Sequence, residues 1–440
     1  MPIDTPSANG TADPDDALYK TIEWRLLPIL LMSYVISYLD RVNVGFAKLQ
    51  MKELLGFSDA VFGVGAGLLF LGYFLFEIPG SILLTRIGAK KTLLRIMVLW
   101  GFAAVAITWA RTPTQFYIAR FLLGVCEAGF VPGVILYLTY WFPRRRRGRV
   151  FSKFLFGSVL GSAISGPLCG ATMKFLDGAF GLAGWQWIYL TQGTAAIGMG
   201  ILAYFLLVDS PKDAPWLNDE QRAVVRRNLD DDEDSKPDAD RRGLWAVLLR
   251  DPRVFLLALA HFLMLGATYA MVFLLPTLIR NLGVVDIFVV GLLSTLPSCF
   301  GVIGMYVFSR HSDMRRERHW HFLLAIGLAG IGLGGTAVFH GQFVLSIAAM
   351  CLAGFGMISC QPLFFAATTE YFPARLAVVG IPLITSFGML GAAASSMAIG
   401  FITSMSGDVA YSVYFVVVVC FSSGLVMVVS RVRNTTGNAA

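Results

Sequence analysis

The chain has 440 residues, of which 56% are hydrophobic and only 14% charged, and its formal net charge is +7. That balance excludes an ordinary soluble domain, in which about 25% of residues are charged, and points to a chain that crosses a membrane many times. The six cysteines (Cys126, Cys169, Cys299, Cys351, Cys360 and Cys420) all fall in apolar runs, without metal-ligand or disulfide spacing. No metal and no other cofactor is therefore expected.

Residues 2–20 are polar and lack the basic, apolar and small-residue order of a cleaved secretory signal, so the first apolar run is expected to direct insertion itself. Apolar runs of about 20 residues, the length a bilayer demands, follow along the chain. They fall at roughly 25–47, 60–84, 92–110, 115–141, 150–174 and 186–208, then at 254–278, 286–309, 320–340, 344–368, 376–403 and 410–431. The expected fold is all-α: twelve transmembrane helices in two pseudo-symmetric six-helix bundles. The corresponding units are a tail (1–22), a bundle (23–209), a central loop (210–252), a second bundle (253–432) and a second tail (433–440). The central stretch contains Pro211, Pro215, Pro237 and the acidic run 230–234, with a short amphipathic helix expected near 219–229.

The basic residues are distributed unevenly. If both termini share one side, only Lys48, Lys52, Arg111, Lys174 and Arg280 fall on the other, and Arg41 and Arg120 lie within spans. By the positive-inside rule the basic side is cytoplasmic. The surplus charge thus reads as topology and not as a nucleic-acid footprint. A multi-pass protein of a bacterial inner membrane, embedded in lipid as a monomer, is the expectation. The halves also echo each other. Trp141-Phe142-Pro143-Arg144 ends the fourth run, and Tyr371-Phe372-Pro373-Ala374-Arg375 ends the tenth. Repeats of this kind place a substrate site between the bundles, near the midplane.

Four ionisable residues stand inside apolar runs: Asp40 and Arg41 in the first, Arg120 and Glu127 in the fourth. Each costs about 2.5–3.5 kcal/mol at a helix centre on insertion scales, so a function is expected of them. At 1.5 Å per residue, Asp40 lies about 21 Å into the first span and Arg120 about 8 Å in from the far end of the fourth. The heights agree, and the four are expected to line one cavity of zero net charge. Two guanidinium groups there would hold a carboxylate. A proton on either acid would free them to do so.

Tyr38-Leu39-Asp40-Arg41-Val42-Asn43, Phe76-Glu77-Ile78-Pro79 and Arg86-Ile87-Gly88-Ala89-Lys90-Lys91 form part of a recognisable set. The stretches from Phe116 to Gly124 and from Glu127 to Gly133, with Gly184-Trp185-Gln186-Trp187, complete it. In these residues the chain resembles the major facilitator superfamily, and more narrowly its anion:cation symporter family. The resemblance implies a secondary active transporter that imports a small organic carboxylate with protons by alternating access. It places proton coupling on Asp40 and Glu127 and substrate binding on Arg41 and Arg120. Tyr38 and Tyr73 match family pocket positions, and Asn43 and Tyr269 are candidates to complete the pocket. Phe365 and Thr385 enter by alignment, where sugar-acid carriers tend to have Trp and Asn. With Gln192 for a common Glu and Thr85 for a loop acid, these departures favour a less hydroxylated anion. Arg86, Lys90 and Lys91 are expected to latch a cytoplasmic gate.

The glycines between Gly63 and Gly67 follow no strand and lie within an apolar run, so they read as helix packing and not as a nucleotide loop. Gly161, Gly166-Pro167 and Gly170 read as a close-packed, kinkable helix, a pattern that keeps an exchanger open. An organic-anion exchanger, an efflux pump or a non-transporting membrane sensor are the alternatives; no catalytic constellation suggests an enzyme.

Overall fold

The computed structural model describes residues 15–233 and 247–432, without the side chains of residues 78, 81–87, 231–233, 374, 375, 377, 378 and 432. The expected gate residue Arg86, the loop position Thr85, the tails to residue 14 and from 433, and loop residues 234–246 lie outside the described residues. Among the described residues every regular element is helical. Twelve of the helical passes alternate in direction. The first six are Asp16–Leu55, Asp59–Ile87, Ala89–Ile107, a broken fourth (Pro113–Glu127 and Phe130–Thr139), Arg144–Phe175 and Gly184–Leu206. The second six are Pro252–Asn281, Ile287–Arg315, His319–Val338, Phe343–Tyr371, Ala374–Ser406 and Val409–Val432.

Eleven of these passes are long and apolar enough to cross a bilayer by composition alone. The third is not, because Lys90, Lys91 and Arg95 crowd its first two turns. It packs on the fourth and sixth spans with Trp100 and Met97 fully buried, which completes the first bundle of six. Spans seven to twelve pack together as the second bundle. The bundles meet where the second span lies on the eleventh, the fifth on the eighth, and the first on the seventh.

This seam is tightest at the face opposite the basic loops. There an added Cβ on Gly63 would stand 2.6 Å from the Gly400 Cα, and one on Gly166 would stand 2.4 Å from the Gly291 carbonyl oxygen. Lys174 pairs with Asp286 across the same seam, and the Lys48 ammonium sits 4.9 Å from the centroid of the Phe273 ring. Backbone-on-backbone contact of this kind needs residues without side chains. The protein is therefore closed on that face. Gly63→Leu overpacks the contact at about 1–3 kcal/mol, enough to shift an open–closed balance about tenfold. A cysteine placed at Val42 should then react about tenfold faster with a membrane-impermeant thiol reagent applied to that face; an unchanged rate would assign the closure to something else.

The fourth span breaks immediately after Glu127. Ala128 turns extended (ψ 136°) and Gly129 takes φ 84°, after which the helix resumes at Phe130. Only glycine adopts that φ without strain. Gly80 of the second span lets the break approach, since a Cβ there would lie 2.7 Å from the Ala128 carbonyl oxygen.

The expected linker helix runs over Asp219–Glu233 and lies against the first bundle. Val225 is fully buried, and Asn228 donates to Asp15 Oδ2 at 2.8 Å and to the Tyr19 hydroxyl at 3.2 Å. Ahead of it, Trp216 stacks on Trp141 with ring centroids 5.6 Å apart.

Candidate functional site

Between the bundles lies a cavity of about 140 Å³. The first bundle contributes Tyr34, Tyr38, Ser158 and Ser162 to its wall, and the second contributes Met264, Tyr269, Ser298 and Met357. Two of the sequence candidates, Tyr38 and Tyr269, therefore face it directly.

Arg41 stands behind Tyr269. Its Nη1 donates to the Tyr269 hydroxyl at 3.1 Å, and its guanidinium carbon lies 5.1 Å from the centre of the Tyr73 ring. The other side of the guanidinium grips Glu127: Nε and Nη2 donate to Oε1 at 3.1 and 2.7 Å. Ser37, one turn before Arg41 on the same helix face, donates to that same oxygen at 2.6 Å. All three donors converge on Oε1. Glu127 Oε2 is buried and has no hydrogen-bond partner among the described residues. Such an atom costs about 1–3 kcal/mol or more if it stays bare.

Asp40 and Arg120 are placed elsewhere, a correction to the expectation of one four-residue cavity. Neighbours in sequence point about 100° apart on a helix and cannot share a face. Arg41 faces the second bundle, so Asp40 faces the core of its own. There it is fully buried, and it accepts from Trp100 Nε1 on the third span and from Asn43 Nδ2 at 3.1 Å. Asn43 also donates to Gln192 Oε1 at 2.9 Å, so it too works inside the bundle. Arg120, 1% exposed, caps two backbone carbonyls, with Nη1 on Asp40 at 3.3 Å and Nε on Gly65 at 3.3 Å. These three residues tie spans one, two, three, four and six together around the cavity wall; they do not line it.

Phe365 and Thr385 are likewise not brought to the cavity. Phe365 packs 5.9 Å from the buried His261 ring, and the Thr385 hydroxyl donates to the Pro382 carbonyl at 3.0 Å. Of the gate candidates with described side chains, Lys90 stays on the first bundle. The Lys90 ammonium lies 4.5 Å from the Tyr204 ring and its backbone N–H donates to Asp209 at 2.8 Å, while Lys91 is exposed.

Sequence reasoning missed Ser37, Trp100 and Glu77. The four-residue step from Ser37 to Arg41 was a readable signal; nothing in the sequence marks Trp100 as the partner of Asp40. Glu77 donates nothing to the cavity but accepts from Ser386 of the eleventh span at 3.0 Å, bridging the bundles on the basic side.

A shared ancestry accounts for this architecture. The sequence profile of the Major Facilitator Superfamily matches residues 30–396. A putative metabolite transport protein, NicT of Pseudomonas putida, is 38% identical over 91% of this chain and 93% of its own length. A putative tartrate transporter of Agrobacterium vitis is 36% identical over 97% and 98%, and a quinolone resistance transporter of Acinetobacter baumannii is 35% identical over 92% and 93%. In fold, the chain superposes on the xylose transporter XylE from E. coli, in a partially occluded inward open conformation, with a TM-score of 0.74 at 13% identity, covering 96% of this chain and all of that one. With two six-helix bundles closed around a central cavity, and relatives matched along nearly their whole length, the chain belongs to the major facilitator superfamily: it is a multi-pass membrane transporter of a small molecule and not an enzyme.

Proposed function

We propose that this transporter imports a small organic carboxylate together with protons, by alternating access, as a member of the anion:cation symporter branch. The observation that carries this reading is the Arg41–Glu127 pair, 2.7 Å apart beside the cavity, with every donor on one carboxylate oxygen and none on the other. Protonation of Glu127 at Oε2 removes its charge and loosens the hold of Arg41. The guanidinium then offers two parallel N–H donors to a substrate carboxylate, which fits them bidentately. Charge in the site is the same before and after the exchange of counter-ions, so the loaded site crosses the closed intermediate without a bare ion. Substrate release to the basic face and return of the proton restore the pair.

The positive-inside rule supports assignment of the basic face, with both termini, to the cytoplasm, and the bacterial origin of the cited relatives supports an inner membrane. The sealed seam at Gly63 and Gly400 is then the external gate. Lys90 and Lys91, in the first turn of the third span on the basic face, form part of a cytoplasmic latch in this reading once that gate opens.

Export or exchange uses the same parts, and the relative named as a quinolone resistance transporter favours keeping that second reading. Proteoliposomes separate them. Under symport, an inward proton gradient alone should concentrate a labelled carboxylate inside, and a protonophore should abolish the accumulation. Uptake that needs carboxylate preloaded in the lumen and ignores the protonophore would replace symport by exchange.

A further inference from the structure

We infer that the transported anion is a monocarboxylate with a compact apolar body, typically a single ring, and not a dicarboxylate or polyhydroxy acid. The inference rests on the carboxylate-carrier reading above and narrows it.

Charge comes first. No Lys, Arg, His, Asp or Glu is among the described residues lining the cavity. Arg41 lies behind the lining residue Tyr269, to which its Nη1 donates, and supplies one cation to the site. One carboxylate can therefore be matched. A second would lie against the second bundle with no counter-ion, and an ionised carboxylate left unpaired in such surroundings is strongly disfavoured.

The second bundle's share of the lining shows what replaces it. Met264, Leu265, Met271 and Met357 form an apolar surface with three thioethers. Thioethers adapt to irregular shapes and contact ring edges favourably. The volume agrees, because an apolar cavity of about 150 Å³ accepts one benzene.

The hydroxyl groups around the cavity look suited to a sugar acid, but most of the serine and threonine hydroxyls among them already donate within the protein. Ser165 donates to the Ser162 carbonyl at 3.0 Å, Ser294 to Val290 at 2.8 Å, and Thr268 to Met264 at 2.9 Å. Ser162 and Ser298 bond to each other at 2.8 Å. Gln361 is the exposed amide in the lining and offers a single polar contact to a ring substituent.

Calorimetry on the purified full-length protein tests this with benzoate, cyclohexanecarboxylate, tartrate, gluconate and the uncharged benzamide. The two ring monocarboxylates should bind at least about tenfold tighter than tartrate and gluconate. Gln361→Arg, which adds a cation to the far wall at an exposed position, should raise tartrate affinity by about tenfold. Tighter binding of tartrate or gluconate than of benzoate overturns the inference and leaves the carboxylate carrier standing. Benzamide binding as well as benzoate, or no acid binding at all, overturns both.

Discussion

Glu127→Gln should uncouple the transporter: exchange of labelled carboxylate across a proteoliposome membrane persists, while accumulation driven by a proton gradient falls by at least about tenfold. The amide keeps the size of the side chain and still presents an oxygen to Ser37 and Arg41, which donate to Oε1 at 2.6 and 2.7 Å. What it lacks is a titratable Oε2. Arg41 then has no charged competitor at any pH. Substrate binding in the native protein should strengthen as pH falls, because a proton on Glu127 frees the guanidinium, whereas binding by the variant should be flat over the same range. Accumulation retained in Glu127→Gln, or a native affinity that does not change with pH, removes this residue from the coupling step.

The second large effect separates two arginines that look equivalent in the sequence. Arg41→Ala should weaken carboxylate binding in the protein that folds by about 2–5 kcal/mol, the usual result of truncating one partner of a buried charge pair, or roughly 30- to 5,000-fold. Combining it with Glu127→Gln, which removes the carboxylate left unpaired, should restore folding but not binding. Arg120→Ala should do the reverse. Its side chain holds the carbonyls of Asp40 and Gly65 at 3.3 Å and touches no cavity wall, so its loss frees two backbone oxygens in the first bundle. Charge-assisted bonds of this type contribute about 1.5–3 kcal/mol each. The expected readout is a lower yield of monodisperse protein and a lower melting temperature, with near-native affinity in the fraction that folds. An Arg120→Ala protein of native stability that fails to bind would return Arg120 to the pocket.

Much of the architecture was readable because the bilayer is a strict solvent. The twelve passes and the short helix after the sixth follow from hydropathy and charge, and each has its counterpart among the described residues. The third pass is instructive. Apolar run 92–110 placed it, but the helix itself starts at Ala89 with lysines in its first turn, where the basic side of the membrane tolerates them. The site was legible only in part. Residue depth could be computed from the rise of a helix, and it put Asp40, Arg41, Arg120 and Glu127 at compatible heights. Azimuth could not be taken from depth. The adjacent pair Asp40–Arg41 had to diverge, and which member faced the partner bundle depended on Trp100 and Tyr269, residues 60 and 228 positions away. Alignment to sugar-acid carriers also pointed to Phe365 and Thr385, which the packing of His261 and Pro382 holds apart from the cavity.

The docking of Trp216 and the Asp219–Glu233 helix onto the basic ends of the first bundle has a practical corollary. A fluorophore, fusion partner or antibody fragment attached to that strap rides with one half of the machine and is blind to the rocking of the other unless a second probe sits on the Arg318–Glu370 corner. A ligand that grips the strap holds half of the transporter, at a distance from the chamber.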